Sequence, residues 1–306
     1  MTPRALARRS LAVALAAAGL SQAEERAHCL ERRGGRLQLE QALYGSVNSL
    51  GLEHQLRLGW CAPLVPRPGP LFGRSNAQAG AMLFHSPTLA LAGAFVRVTP
   101  VSPVTLRAEL TGVAMWPIPL PGSGYLRFAD PQSFTAASLE PADDPSGRSR
   151  AAVGWRVNLG VTLRARAPVS DRVALVAWAD GYAERWAVGD GPYFYNPRAD
   201  LVVRASGEWF VSTHALVGAE VRLGARYRVR AGAYDHVFHV PSSGFVGNQV
   251  GGFAYVGVDA PSARARVVEL FVRAGVYTHH PFRQEAATLL GGVSVDWDLR
   301  ADPRAD

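Results

Sequence analysis

Residues 153–165 read VGWRVNLGVTLRA. Val153, Trp155, Val157, Leu159, Val161, Leu163 and Ala165 alternate with Gly154, Arg156, Asn158, Gly160, Thr162 and Arg164. Successive side chains of a strand point to opposite faces. The alternation therefore predicts a strand with one apolar and one polar face. Val104 to Trp116 repeats it: Val104, Leu106, Ala108, Leu110, Gly112, Ala114 and Trp116 oppose Thr105, Arg107, Glu109 and Thr111. Leu289 to Leu299 follows the same rule, as do the shorter stretches Leu52 to Trp60 and Ala225 to Ala233. Sandwich strands average about five or six residues. These runs of 9 to 13 residues have the length that crosses a bilayer at a tilt.

Extended along the chain, the pattern predicts twelve strands, near 36–46, 51–62, 76–84, 88–98, 103–116, 151–167, 171–186, 208–221, 225–238, 248–258, 263–278 and 287–299. The fold class expected is all-β: a closed, up-and-down antiparallel transmembrane barrel of about 12 strands, with apolar faces toward lipid and polar faces toward the lumen. Connections at 99–102, 168–170, 223–224 and 260–262 are short, whereas 117–150 and 187–207 are long and rich in Pro, Gly and Asp. Short turns on one side and long loops on the other fit periplasmic turns and extracellular loops. The connection 63–75 breaks this rule, being long on the short-turn side.

The flanks have their own logic. Residues 1–23 carry Arg4, Arg8 and Arg9, the apolar run Leu11 to Leu20, and the small-x-small site Ser21-Gln22-Ala23, which predicts a secretory signal peptide. Residues 24–35 then form a periplasmic N-terminal segment, 36–299 the barrel, and 300–306 a polar C-terminal tail. Removing the signal takes away three Arg and lowers the formal charge from +7 to +4. Nucleic-acid binding is not expected. At 48% hydrophobic and 19% charged residues, the chain is too apolar for disorder. All its basic residues are Arg, so lysine chemistry of every kind is excluded.

Trp116 and Trp155 fall at the predicted outer rim, and Trp60, Tyr227 and Trp297 at the inner rim, all on apolar faces. Aromatic girdles belong at both membrane interfaces. With the signal site, the alternating strands and the final Val293-Ser294-Val295-Asp296-Trp297, the chain resembles a bacterial outer-membrane β-barrel protein of porin-like type. That resemblance implies a Gram-negative outer membrane, with its lipids and the barrel-assembly machinery as partners. The chain departs from the usual terminal aromatic: Trp297 is followed by Asp298, Leu299 and the polar tail.

Catalytic constellations are not visible. The His-x-Ser-Asn-Gly run of outer-membrane phospholipases is missing, and His214 sits between Ser212-Thr213 and Ala215-Leu216. Asp235 and His236 are adjacent on one strand and so face opposite ways. Asp296 and Asp298 share a face as part of a polar wall. His279-His280 would need a third ligand to hold a metal. Gly251-Gly252 and Gly291-Gly292 sit inside strands, where they allow bending or close strand approach. No enzyme activity, cofactor or metal is expected.

Two functions remain: a passive pore for small solutes, anions among them, or a non-conducting structural or surface-binding barrel that uses its long loops. A soluble secreted β protein is a third option. Arg97, Arg107, Arg156, Arg164, Arg166, Arg226, Arg228 and Arg273, with Asp296 and Asp298, are expected to line the lumen. An Arg ring favours anions; pairing of these Arg with acids across the lumen would close it instead. Cys29 and Cys61 are the only cysteines, and in an oxidising compartment they either bridge or remain free.

Overall fold

A computed structural model describes residues 36–47, 51–65, 71–119, 123–131, 149–259, 264–280 and 283–299. The signal peptide, the N-terminal periplasmic segment with Cys29, and the C-terminal tail lie outside the described residues. In chain order the strands are β1 (Arg36–Val47), β2 (Gly51–Pro63), β3 (Asn76–His85), β4 (Leu89–Val101), β5 (Val104–Met115), β6 (Tyr125–Phe128), β7 (Ser149–Arg150), β8 (Ala152–Pro168), β9 (Val173–Val188), β10 (Tyr193–Asn196), β11 (Leu201–Arg204), β12 (Glu208–Leu223), β13 (Tyr227–Val240), β14 (Phe245–Asp259), β15 (Ala265–His279) and β16 (Ala287–Asp298).

Twelve of them close into a barrel in the order β1-β16-β15-β14-β13-β12-β9-β8-β5-β4-β3-β2. Every neighbouring pair is antiparallel, and β1 closes the ring by pairing with both β2 and β16. Closure leaves no unpaired edge, which is what a hydrocarbon environment requires of a sheet. The long connections, 116–151 and 189–207, lie at one end, taken here as the outer end. Both ends of the barrel sequence lie at the other, inner end.

The exterior is aliphatic. Val153 is 74% exposed, Val217 61% and Leu110 60%, values that make no sense for a water-facing wall but suit one facing lipid. Trp155 and Trp209 near the outer rim, and Trp60 and Tyr227 near the inner rim, are also exposed. Trp116 lies half-buried just past the end of β5, its amide bonded to the Thr88 carbonyl at 3.0 Å. Trp178 and Trp186 point inward with Asp180 and Glu184, on the same face of β9. The outer wall is thus mostly apolar, and the inner wall collects most of the charge.

Several strand pairs meet on inward-facing glycines. Gly218 and Gly232 are cross-strand partners, and a Cβ on Gly232 would fall 2.0 Å from the Val217 carbonyl oxygen. A Cβ on Gly251 would meet the Ala274 carbonyl oxygen at 2.2 Å, and one on Gly292 the Leu43 carbonyl oxygen at 2.3 Å. These are close strand approaches that only glycine permits.

The two long connections do not remain free loops, contrary to the sequence expectation. They contribute β6, β7, β10 and β11, which form a separate four-stranded sheet in the order β11-β10-β6-β7. The described parts of the connection, 64–65 and 71–75, are held as well: the Leu64 amide bonds to the Ser75 carbonyl at 3.1 Å, and the Ser102 amide to the Leu71 carbonyl at 2.8 Å. It is therefore docked against the β4–β5 turn, which explains its length on the short-turn side.

Candidate functional site: the lumen and its stopper

The small sheet packs inside the outer half of the barrel. Inward residues of the wall form one buried cluster with Tyr125, Phe194, Leu201 and Val203 of the sheet. The wall's share comes from β3 (Met82, Phe84), β4 (Leu89, Leu91), β5 (Val113, Met115), β9 (Trp186, Val188), β12 (Phe210) and β13 (Phe238, Val240). Burial of this apolar surface from six strands seats the sheet as a stopper.

Two polar latches fix it on the remaining side. Arg198, between β10 and β11, donates to both carboxylate oxygens of Glu53 on β2, at 2.9 and 3.2 Å. Its guanidinium also sits 5.1 Å from the centre of the Phe84 ring. Although burial opposes it, the charges of Glu53 and Glu184 raise the Arg198 pKa above its ordinary value. Asp200 has a left-handed backbone, φ 55°. It accepts from Tyr195 at 2.6 Å, Tyr277 of β15 at 3.2 Å, and Arg283 Nε at 2.6 Å. His280 Nε2 lies 3.3 Å from the Asp200 carbonyl oxygen. Burial lowers the His280 pKa, outweighing the pull of Asp200 in the other direction. The same burial and the Asp200 charge push the Tyr195 phenol well up.

Below the stopper the interior changes character. Arg107 donates to both oxygens of Asp180, at 2.5 and 2.6 Å. Arg156 bridges Glu109 and Glu184, and Arg57 reaches the other Glu109 oxygen at 3.2 Å. Arg97 pairs with Glu40 at 2.7 Å. Arg166 and Arg230 converge on Glu220, at 3.1 and 2.7 Å, and Arg228 pairs with Asp259 at 2.8 Å. Arg36 and Arg266 share Asp298 at 2.7 and 3.3 Å. Arg74, from the docked connection, adds a cation at this inner mouth. Burial and the nearby Arg164, Arg230, Arg228 and Arg166 push its pKa down to about 10. Arg156, Glu109 and Glu184 are buried, their side chains 3 to 5% exposed, whereas the Arg97 and Glu40 side chains are each 26% exposed. Since they face the lumen, the solvent they meet is lumen water.

The positions expected to line the lumen resolve as follows. Arg97, Arg107, Arg156, Arg166 and Arg228 face inward, but each holds a carboxylate, so they are not a ring of bare cations. Arg164 faces inward with no carboxylate in ion-pair range among the described residues. Arg273 faces inward and bonds to Tyr255 and His214. Arg226 is a correction: it is exposed in the β12–β13 turn, because β13 begins at Tyr227, two residues later than the alternation suggested. Asp296 and Asp298 sit on the inward face of β16, and Asp298 is the buried one. Asp235 points outward and accepts from Asn248 at 2.5 Å. Cys61 faces inward on β2 and is disulfide-bonded; Cys29, the other cysteine, lies outside the described residues.

Reasoning from sequence missed the stopper and both latches. The signals were present: Tyr193-Phe194-Tyr195 and Leu201-Val202-Val203 are short apolar runs inside a supposed loop. On the lipid side, a recess of about 650 Å³ near the outer rim includes Leu43, Leu52, His54, His85 and Val293. There Gln41, His54 and His85 form a hydrogen-bonded chain with steps of 3.1 and 3.0 Å.

No protein-family model matches the chain, and none of the curated proteins does. Among solved structures it is similar to a KdgM porin in complex with disordered oligogalacturonate, at 7% identity over 86% of this chain and 99% of that chain, TM-score 0.38. It is also similar to the NanC porin, at 6% identity over 85% and 100%, TM-score 0.36. A third is the TodX monoaromatic hydrocarbon channel deltaS2 mutant, at 10% identity over 90% and 93%, TM-score 0.37. The closed ring of twelve strands with its lipid-facing exterior makes this chain an outer-membrane β-barrel on its own geometry.

Proposed function

We propose that the protein is a small-solute channel of the bacterial outer membrane that rests in a closed state. The observation that supports it most is the division of the lumen. In its outer half the wall and the stopper share a buried apolar cluster, with Leu91 of the wall and Phe194 and Leu201 of the stopper each 0% exposed. Its inner half is lined by ion pairs, some of which, such as Arg97–Glu40, reach solvent. A barrel meant only as a scaffold gains nothing from these inward ion pairs, because apolar packing of similar volume is often at least as stable. A vestibule that meets solutes from the inner side has use for them. The stopper is carried on two connections of the same chain, so it can move without dissociating. The protein has no catalytic role in this reading. Its partners are outer-membrane lipids along the aliphatic wall, the assembly machinery that inserts it, and small solutes, with anions favoured.

Replacing residues 191–206 by a short Gly/Ser linker removes β10, β11 and both latch residues of the stopper. In planar bilayers the intact protein should show rare openings, and the excised barrel persistent conductance. An excised barrel that still shows heat-modifiable migration on gels but passes no current ends the channel reading. It would leave the alternative, a non-conducting barrel that works through its outer surface.

A further inference from the structure

Arg273 projects into the lumen from the middle of β15. Its guanidinium donates to the Tyr255 hydroxyl, from Nε at 2.8 Å and from a terminal nitrogen at 2.6 Å. The other terminal nitrogen donates to His214 Nε2 at 2.9 Å. Neither partner is a carboxylate. Arg57, Arg107 and Arg156 all hold carboxylates; among the described residues Arg273 has none in ion-pair range. An inward-facing cation without a counter-ion is an electrostatic demand for an anion.

The surroundings say what kind of anion. Phe271 stacks on Tyr255, with ring centres 5.6 Å apart and planes at 23°. Tyr44 extends this surface across to β1, 5.3 Å from Phe271. On the other side Trp178 stands edge-on to His214 at 5.3 Å. Gly292 makes room for the first group: a Cβ there would meet Phe271 at 2.8 Å and Tyr44 at 2.9 Å. Tyr44, Trp178, Tyr255, Phe271 and Arg273 are all part-exposed on inward faces, so lumen space lies in front of them.

We propose that this is a binding site for small aromatic carboxylates. The carboxylate would take the guanidinium, whose planar fork matches it, and the ring would lie against the aromatic wall in an offset or edge-on contact. An inorganic anion would use only the cation, and a neutral aromatic only the wall. The inference rests on the channel reading for the ligand's route, through the ion-lined inner half of the lumen, but its test does not depend on current.

Benzoate titrated calorimetrically into the full-length, detergent-refolded barrel should bind saturably at one site. Benzamide and acetate should each bind at least tenfold more weakly. Arg273→Gln should weaken benzoate at least tenfold, whereas Arg226→Gln, the same charge change in an exposed turn, should leave it unaltered. Should Arg273→Gln fail to fold, the benzoate–benzamide comparison on the natural chain decides alone. Absence of saturable benzoate binding, or benzamide binding equally well, overturns the site. So does benzoate binding that is unchanged in a folded Arg273→Gln barrel. Binding by a barrel that never conducts would sink the channel reading and keep the site; conduction without benzoate binding would do the reverse.

Discussion

Val157 and Asn158 are chain neighbours on β8 with opposite environments. Val157 faces lipid, so Val157→Arg should cost about 2–4 kcal/mol near the membrane midplane, measured by equilibrium unfolding from lipid vesicles. Gln38 is inward and part-exposed on β1, and Gln38→Arg should cost less than about 1 kcal/mol. Equal losses at the two sites would contradict the face assignment. Alternation alone suggests that Asn158 would tolerate Arg as Gln38 does. The packing says otherwise: Asn158 is 2% exposed, accepts from Arg107 at 3.3 Å and donates to Glu184 at 3.4 Å. An Arg there is an overpacked third cation. Gly232 offers a second test at this scale. Because its Cβ would overlap the Val217 carbonyl, Gly232→Ala should lower stability by about 1–3 kcal/mol. An alanine variant as stable as the natural chain would mean that the strands can part at no cost. Faces were legible at this scale because period two needs only the residues themselves. Partners were not, because Arg107 and Asp180 are 73 positions apart, and Arg198 and Glu53 145 apart. Pairing of β5, β8 and β9 brings the first pair together, and the inward folding of the connection brings the second.

The wall strands and the stopper strands differ in how they can be read. A wall strand has one face toward lipid and one toward the lumen, which imprints alternation on its sequence. β10 and β11 are buried almost throughout. Strands covered on both faces become continuous apolar runs and lose the period-two signal. All twelve wall strands were therefore visible in the sequence, and the stopper passed for loop. Its hold has a pH dependence with a definite sign. In the closed state burial keeps the His280 pKa below the ordinary 6.5; on release it returns toward that value. Below about pH 6.5 the released state takes up a proton that the closed state resists, so the closed state loses stability as the pH falls. Open probability in bilayers should therefore rise between pH 7.5 and 5.5, and His280→Gln should flatten that rise. An identical pH response in His280→Gln would remove His280 from the latch.

At the scale of the whole molecule, the question is what the field of the lumen does to a passing ion. The chain has 32 basic and 25 acidic residues, but most inward Arg have their charge cancelled within a few ångströms. A paired guanidinium contributes a dipole, and an unpaired one a full charge. Anion preference should then rest on Arg164 and Arg273 rather than on Arg97, Arg107 or Arg166. In the stopper-excised barrel, reversal potentials in a dilute KCl gradient should show modest anion preference, fading toward 1 M as the screening length falls to about 3 Å. Arg164→Gln should reduce the preference and leave the melting temperature nearly unchanged, since it strands no carboxylate. Arg107→Gln removes one positive charge as well, but it strands Asp180, which is 7% exposed. Its current should turn toward cations and its melting temperature should drop, because a buried charge that loses its partner is strongly destabilising. If both variants lose stability equally, or if Arg164→Gln leaves the reversal potential where it was, the unpaired cations do not set the selectivity and the paired network must be conducting as a whole.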